Sequence, residues 1–200
     1  RLESLTSDEA SIQTDTLLLR AYMQAQQPDK ARTLLKRRIA DKKGEIGYRL
    51  LAAMLEVQLQ QPQAAEQYLQ AALDDDPNSV LAMMGMAYLA LQQQGAAIAE
   101  EWYDKAISVA PDDIRPLQAK IKLILASDRA EQAAPLAAHF YQENQDQIVA
   151  ARLYLSVLQR LRLKEELKKK LATIVKNHPD EPSLKLQQAN IHFADGETEI

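Results

Sequence analysis

The sequence predicts an all-α solenoid of helix–turn–helix hairpins, about five and a half repeats and eleven helices long. Three observations predict it. The composition is rich in Ala, Leu and Gln, with only 5 Gly and 8 Pro in 200 residues and 5% aromatics, which favours helix over sheet. A pattern of small and bulky residues returns every 34 residues. Each copy of that pattern is preceded, across a short polar turn, by a second apolar stretch of helical period.

The 34-residue column is read most easily from Ala65. Its counterparts are Ala31, Ala99, Ala133 and the larger Leu167. Four residues on, the bulky position holds Leu35, Leu69, Tyr103, Ala137 and Leu171. Three beyond that come Arg38, Ala72, Ala106, Phe140 and Ile174, and the closing position holds Lys43, Pro77, Pro111, Gln145 and Pro179. Positions i, i+4 and i+7 share one helix face, so each set marks the buried stripe of a second helix. Small residues on that stripe let a neighbouring helix approach to about 8–10 Å between axes. Proline cannot continue a helix interior and therefore separates one unit from the next.

The first helices follow in order as DTLLLRAYMQA, YRLLAAMLEVQL, VLAMMGMAYLAL, PLQAKIKLILA and VAARLYLSVLQRL. The turns between first and second helices are QQPD, QQPQ, QQGA, SDRA and LRLK. Thr6 with Glu9 and Asp128 with Glu131 have the spacing of capping boxes that start a helix. The predicted organisation is a lead-in over 1–11, five units over 12–181 with boundaries near 45, 79, 113 and 147, and a sixth first helix within 182–200. That last helix is either a cap over the fifth unit or the start of a unit that continues. The missing initiating Met and the ending in mid-unit favour the second and predict a piece of a longer protein.

This pattern resembles the tetratricopeptide repeat family over about residues 12–200, and Ala99, Tyr103, Ala106 and Pro111 match the family's second-helix spacing best. Leu18, Leu19 and Tyr22, and Tyr154, Leu155 and Leu158, fit its first-helix pattern. The resemblance implies a right-handed superhelix whose first helices line a concave groove for a peptide or helix. Carried over in register, the groove set is Arg20, Leu50, Met54, Met84, Tyr88, Lys122, Arg152, Ser156 and Asn190, with Thr16, Gln118 and Leu186 beside them. In the second and third units the apolar stripe also fits a register shifted by one or two residues, which would place Leu50 or Met84 in the core. The Lys…Asn…Asn pattern of the family's carboxylate clamp is absent. The resemblance extends to bacterial proteins of envelope assembly, polysaccharide export and secretion, and it leaves the compartment open between periplasm or envelope and cytoplasm.

The chemistry-bearing residues point away from catalysis. There is no Cys, and His139, His178 and His192 are not spaced as a metal pair on one helix. No glycine-rich phosphate loop is present, so no cofactor or metal is expected. Asp74, Asp75 and Asp76 lack the alternation of a calcium loop and are expected to be a solvated turn. No run of about 18 apolar residues is found, so no membrane insertion is expected.

The net charge of −4 argues against nucleic acid as partner. Its distribution is more informative. Residues 1–43 carry nine basic and six acidic groups, residues 44–147 six and fifteen, and residues 148–200 nine and seven. The expected partner is a protein or peptide with acidic and apolar segments. The alternatives are a recruiting region of a larger enzyme and self-association of basic ends with acidic middles.

Overall fold

The structure, a computed structural model, describes residues 7–41 and 46–194, with side chains from residue 12 to residue 193 in those ranges. Lys43, and Thr6 of the first predicted capping box, lie outside the described residues. The described residues form eleven helices and no strand. They are α1 (Ser7–Gln24), α2 (Pro28–Asp41), α3 (Ile46–Gln58), α4 (Pro62–Asp75), α5 (Val80–Gln93) and α6 (Ala96–Val109), then α7 (Ile114–Ala126), α8 (Ala130–Glu143), α9 (Ile148–Arg160), α10 (Lys164–Asn177) and α11 (Pro182–Ala194). Helix α1 thus begins at Ser7, five residues before the predicted start of the first unit at residue 12.

The chain divides into two compact units, Arg1–Asp112 and Asp113–Ile200. In the first, α1–α3 enclose one apolar cluster around Leu35, Tyr48 and Leu55, and α3–α6 enclose a second around Leu69, Met83 and Met86. In the second unit one cluster joins α7–α11 around Ile121, Phe140, Leu155 and Ile174. Leu184 is 2% exposed and fastens α11 to that cluster, while Leu186 and Phe193 of the same helix face solvent.

The small-residue column is the innermost feature of both units. Ala31, Ala65, Ala99 and Ala133 are all 0% exposed, as are Ala72 and Ala106 seven residues beyond two of them and Ile174 at the same place in α10. A larger side chain there would force helix axes apart or off-rotamer packing, which costs about 1–3 kcal/mol.

Arg38 is the exception in this column, since a charged group stands where other second helices have Ala, Phe or Ile. It is accommodated because α1 supplies Asp15, itself 2% exposed. The Arg38 Nη2 donates to Asp15 Oδ1 at 3.0 Å, and its Nε lies 2.6 Å from Oδ2 without hydrogen-bond alignment. The Tyr48 hydroxyl of α3 donates to the same carboxylate at 2.7 Å. Six residues earlier on α2, the Arg32 guanidinium donates two hydrogen bonds of 2.8 Å to Glu56 of α3, 5% exposed. Both arginines are held more firmly protonated than usual, chiefly by these hydrogen bonds.

The turns inside the hairpins repeat as strictly as the helices. Gln26, Gln60, Asp128 and Arg162 are each left-handed, with φ of 54–58°, and they recur 34 residues apart except at Gln94. Each closes the preceding helix by a pair of backbone bonds, for example Gln60 N to Val57 O and Gln61 N to Glu56 O. This is the Schellman closure, which normally favours glycine. At the third turn the helix runs one residue further, and Gly95, at φ 99°, takes the strained position instead.

The Asp128–Glu131 capping box is not formed. Asp128 occupies the left-handed closing position of α7, and Arg129 stands at the start of α8 with no side-chain cap. The caps that do form come from Ser79, which accepts from Ala82 N, and Asp113, which accepts from Arg115 N.

Two outcomes follow. Gln60→Gly relieves the left-handed strain and should raise unfolding stability by about 0.5–1 kcal/mol, whereas Gly95→Ala should lower it by about 1 kcal/mol or more; urea unfolding reads both. Asp15→Ala strips Arg38 and Tyr48 of their acceptor and should cost about 1.5–3 kcal/mol in the same assay.

Candidate functional site

The first helices of each unit present a lined depression. In the first unit, Thr16, Arg20 and Met23 of α1 face Leu51, Met54 and Gln58 of α3 across a cavity of about 490 Å³. A second cavity, of about 340 Å³, lies between α3 and α5 and is almost wholly apolar. Its walls are Leu50, Met54 and Val57 on α3, and Leu81, Gly85 and Tyr88 on α5. Both triplets have i, i+4, i+7 spacing, so each is one helix face.

Met54 belongs to both cavities and is 67% exposed; Leu81 and Tyr88 are 51% and 46% exposed. Gly85 sets the depth of the second cavity. A Cβ there would lie 2.7 Å from Leu69 Cδ2, so only glycine lets the α4 side chain reach the floor without displacement.

The second unit has a different lining. Gln118 and Lys122 of α7 face Val149, Arg152 and Ser156 of α9 across about 460 Å³. A neighbouring cavity of about 620 Å³ shares Leu125 and Ser156 and adds Gln159, Arg160 and Arg162. Arg152 is already engaged: its Nη2 donates to Glu181 Oε2 and to Ser183 Oγ, both at 2.7 Å. Arg160 donates to the Leu125 carbonyl at 3.3 Å and lies 3.9 Å from Asp128. The Ser156 hydroxyl donates to Leu153 O, leaving its oxygen as an acceptor.

The structure therefore brings Arg20, Leu50, Met54 and Tyr88 to the cavities of the first unit, and Lys122, Arg152 and Ser156 to those of the second. Leu50 lines a cavity and is half-buried, packed at the edge of the α3–α6 cluster. Met84 is half-buried and lines none of these cavities, because Gly85 takes the wall position between Leu81 and Tyr88. Asn190 is exposed on α11 and lines none of them either. Leu81, Val57, Gly85 and Val149 were not anticipated, although each lies three or four residues from an expected position. Among the first helices, Gly85 within an apolar helical run was the visible sign of a close approach.

The remaining chemistry is structural. Asp74 accepts from Gln70, Asp75 is paired with Arg49, and Asp76 accepts from the Asn78 amide, so each aspartate of this turn has a local partner. No group of three or more His or carboxylate side chains suited to a metal occurs among the described residues. Trp102 is half-buried against the α3–α6 cluster, with the Lys105 ammonium 4.0 Å from its ring centre. No helix among the described residues is long and apolar enough to cross a membrane.

The tetratricopeptide repeat family model matches residues 50–114, which comprise most of α3 and all of α4–α6. Solved tetratricopeptide repeat proteins superpose on 82–94% of the chain. The chain has the tetratricopeptide-repeat fold. A structure of pilF from Pseudomonas aeruginosa aligns with TM-score 0.66 at 13% identity, covering 94% of this chain and 86% of that one. A tetratricopeptide repeat protein from Parabacteroides merdae aligns with TM-score 0.65 at 12% identity over 94% of this chain and 75% of that one. YrrB, described as a TPR protein with an unusual peptide-binding site, aligns with TM-score 0.56 at 13% identity over 82% and 85%. No curated protein sequence matches the chain significantly. The tetratricopeptide-repeat fold is one of protein–protein interaction scaffolds, and its proteins are generally non-catalytic.

One titration is set by the packing of this fold. Burial, and then the hydrogen bond its hydroxyl donates to Glu166, push the Tyr154 phenol up from 10.0 to about 12. The folded chain holds this proton more tightly than the unfolded chain. The stabilisation is complete below pH 10 and is lost as pH rises from 10 toward 12. Unfolding followed against pH should show this fall, and Tyr154→Phe should flatten part of it.

Proposed function

We propose that the chain is a non-catalytic scaffold that binds an extended peptide or helix along its first helices. In the first unit the ligand seats apolar side chains against Leu50, Met54 and Tyr88. Taken by itself, the face of the second unit offers Lys122 to an acidic group, Arg152 being partly neutralised by Glu181. The observation that carries this reading is the apolar cavity between α3 and α5, bounded by side chains as exposed as Met54 and Tyr88. Large apolar groups left in solvent around a depression are the usual mark of an interaction site. The peptide-binding site described for YrrB, which has the same fold, supports the assignment by analogy.

The test is fluorescence polarisation with a panel of labelled peptides combining apolar anchors and acidic flanks, beside versions lacking one or the other. Met54→Ser/Tyr88→Ser should weaken binding of the anchored peptides by about tenfold or more, with an unchanged urea midpoint. Lys122→Glu should weaken only the peptides with acidic flanks. Equal binding by all variants would remove the first-helix faces as the site.

A further inference from the structure

A third cavity lies away from these faces. It is open between the second helices α8 and α10 and floored by one side chain of α9, with a volume of about 290 Å³. Its floor is a pair of tyrosine rings, Tyr141 and Tyr154, stacked with centres 5.5 Å apart and planes 16° from parallel. Its α10 wall carries Lys169 and Lys170, and its rim carries the amides of Gln142 and Gln145.

The charge balance of this cavity is one-sided. No Asp or Glu lines it. Glu166, one turn before Lys170 on α10, keeps its charge just outside this lining and accepts from the Tyr154 hydroxyl at 2.9 Å. Neither Lys169 nor Lys170 has a carboxylate partner among the described residues; Lys170 instead lies 5.7 Å from the Tyr154 ring centre. Helix α10 as a whole carries five lysines against two glutamates. The Gln142 side-chain amide adds N–H donors at the mouth.

We infer that this cavity is a binding site for a carboxylate side chain, supplied by a glutamate-rich segment of a partner protein. Two ammonium groups and an amide suit a single carboxylate. The stacked rings suit the methylenes that carry it. A bare inorganic anion would satisfy the lysines but leave the aromatic floor uncovered. The volume admits one side chain rather than a folded element, since drug-sized ligands occupy roughly 300–1,000 Å³. The site is built from residues separate from those of the first-helix cavities, so it stands whether or not those bind a peptide.

The experiment is an NMR titration of the amide-labelled chain with a hexaglutamate peptide at low and moderate salt. Inorganic phosphate and acetate form parallel arms. Hexaglutamate should shift the amides of Tyr141, Gln142, Lys170 and Thr173, and higher salt should weaken the effect. Lys169→Glu/Lys170→Glu should weaken binding by about tenfold or more, while Tyr88→Ser leaves it unchanged. The inference is overturned if phosphate produces the same shifts at equal concentration, or if hexaglutamate moves every lysine of the chain alike. It is also overturned if sedimentation shows self-association that the double variant abolishes while hexaglutamate does not bind, because the occupant is then a second copy.

Discussion

Close approach at one residue per hairpin is the constraint from which both units are built. Ala31, Ala65, Ala99 and Ala133 have no exposed surface at all. A methyl group is what fits where neighbouring helices press against the second helix. Bulky partners at the next turns, such as Leu35, Leu69 and Leu171, then fill the space to either side. Because each hairpin is braced only by its sequence neighbours, the arrangement must be re-specified in every unit, and the sequence repeats for that reason. The turns obey the same economy. A left-handed residue at the same place in four hairpins fixes how each second helix leaves its first, and even Gln and Arg are held there against their preference.

The N-terminal hairpin solves the packing problem by other means. Its column contains Arg38 where later hairpins have Ala72 and Ala106, so its apolar stripe is one residue short. A buried carboxylate, a tyrosine hydroxyl and a bidentate Arg–Glu pair are added to the apolar contact among α1, α2 and α3. Such groups add little net stability over apolar packing, but they tolerate only one partner geometry. They fix the register of α1 and α3 on α2, where small and bulky apolar residues alone would allow sliding.

The hairpins were legible in the sequence because the signal is periodic and local. A 34-residue column of small residues needs no knowledge of what it touches. The turn conformations were not legible, since Gln26, Gln60 and Arg162 give no left-handed signal of the kind Gly or Asn gives. Asp128 was read as a cap on its side chain's usual habit, and the backbone closure of α7 claimed it first. The Asp15–Arg38–Tyr48 cluster joins three helices. Only its anomaly, a charge in an apolar column, could be seen without the structure. Seven of the nine expected groove residues lie on cavities because first-helix faces follow from the same period. Met84 does not, because Gly85 on the neighbouring register admits Leu69 and moves the wall by one residue.

The two units offer chemically different first-helix faces, and the difference comes from a few substitutions on a common frame. Where α3 and α5 place Leu50, Met54, Leu81 and Tyr88, α7 and α9 place Lys122, Arg152 and Ser156. The internal stripe keeps its spacing while its residues vary, from Arg38, Ala72 and Ala106 to Phe140 and Ile174, and it lies apart from the side chains that line the cavities. Ser183, on the helix that Leu184 fastens to the core, receives one of the two bonds from Arg152, and Glu181 just before it receives the other. That tie leaves Lys122 as the cation of this cavity with no carboxylate partner among the described residues. An acidic ligand group would therefore meet a single mobile ammonium rather than a fixed guanidinium fork. On the proposed reading, such a contact would steer by charge and tolerate many sequences, while the apolar cavity of the first unit, whose depth depends on Gly85, would discriminate by shape.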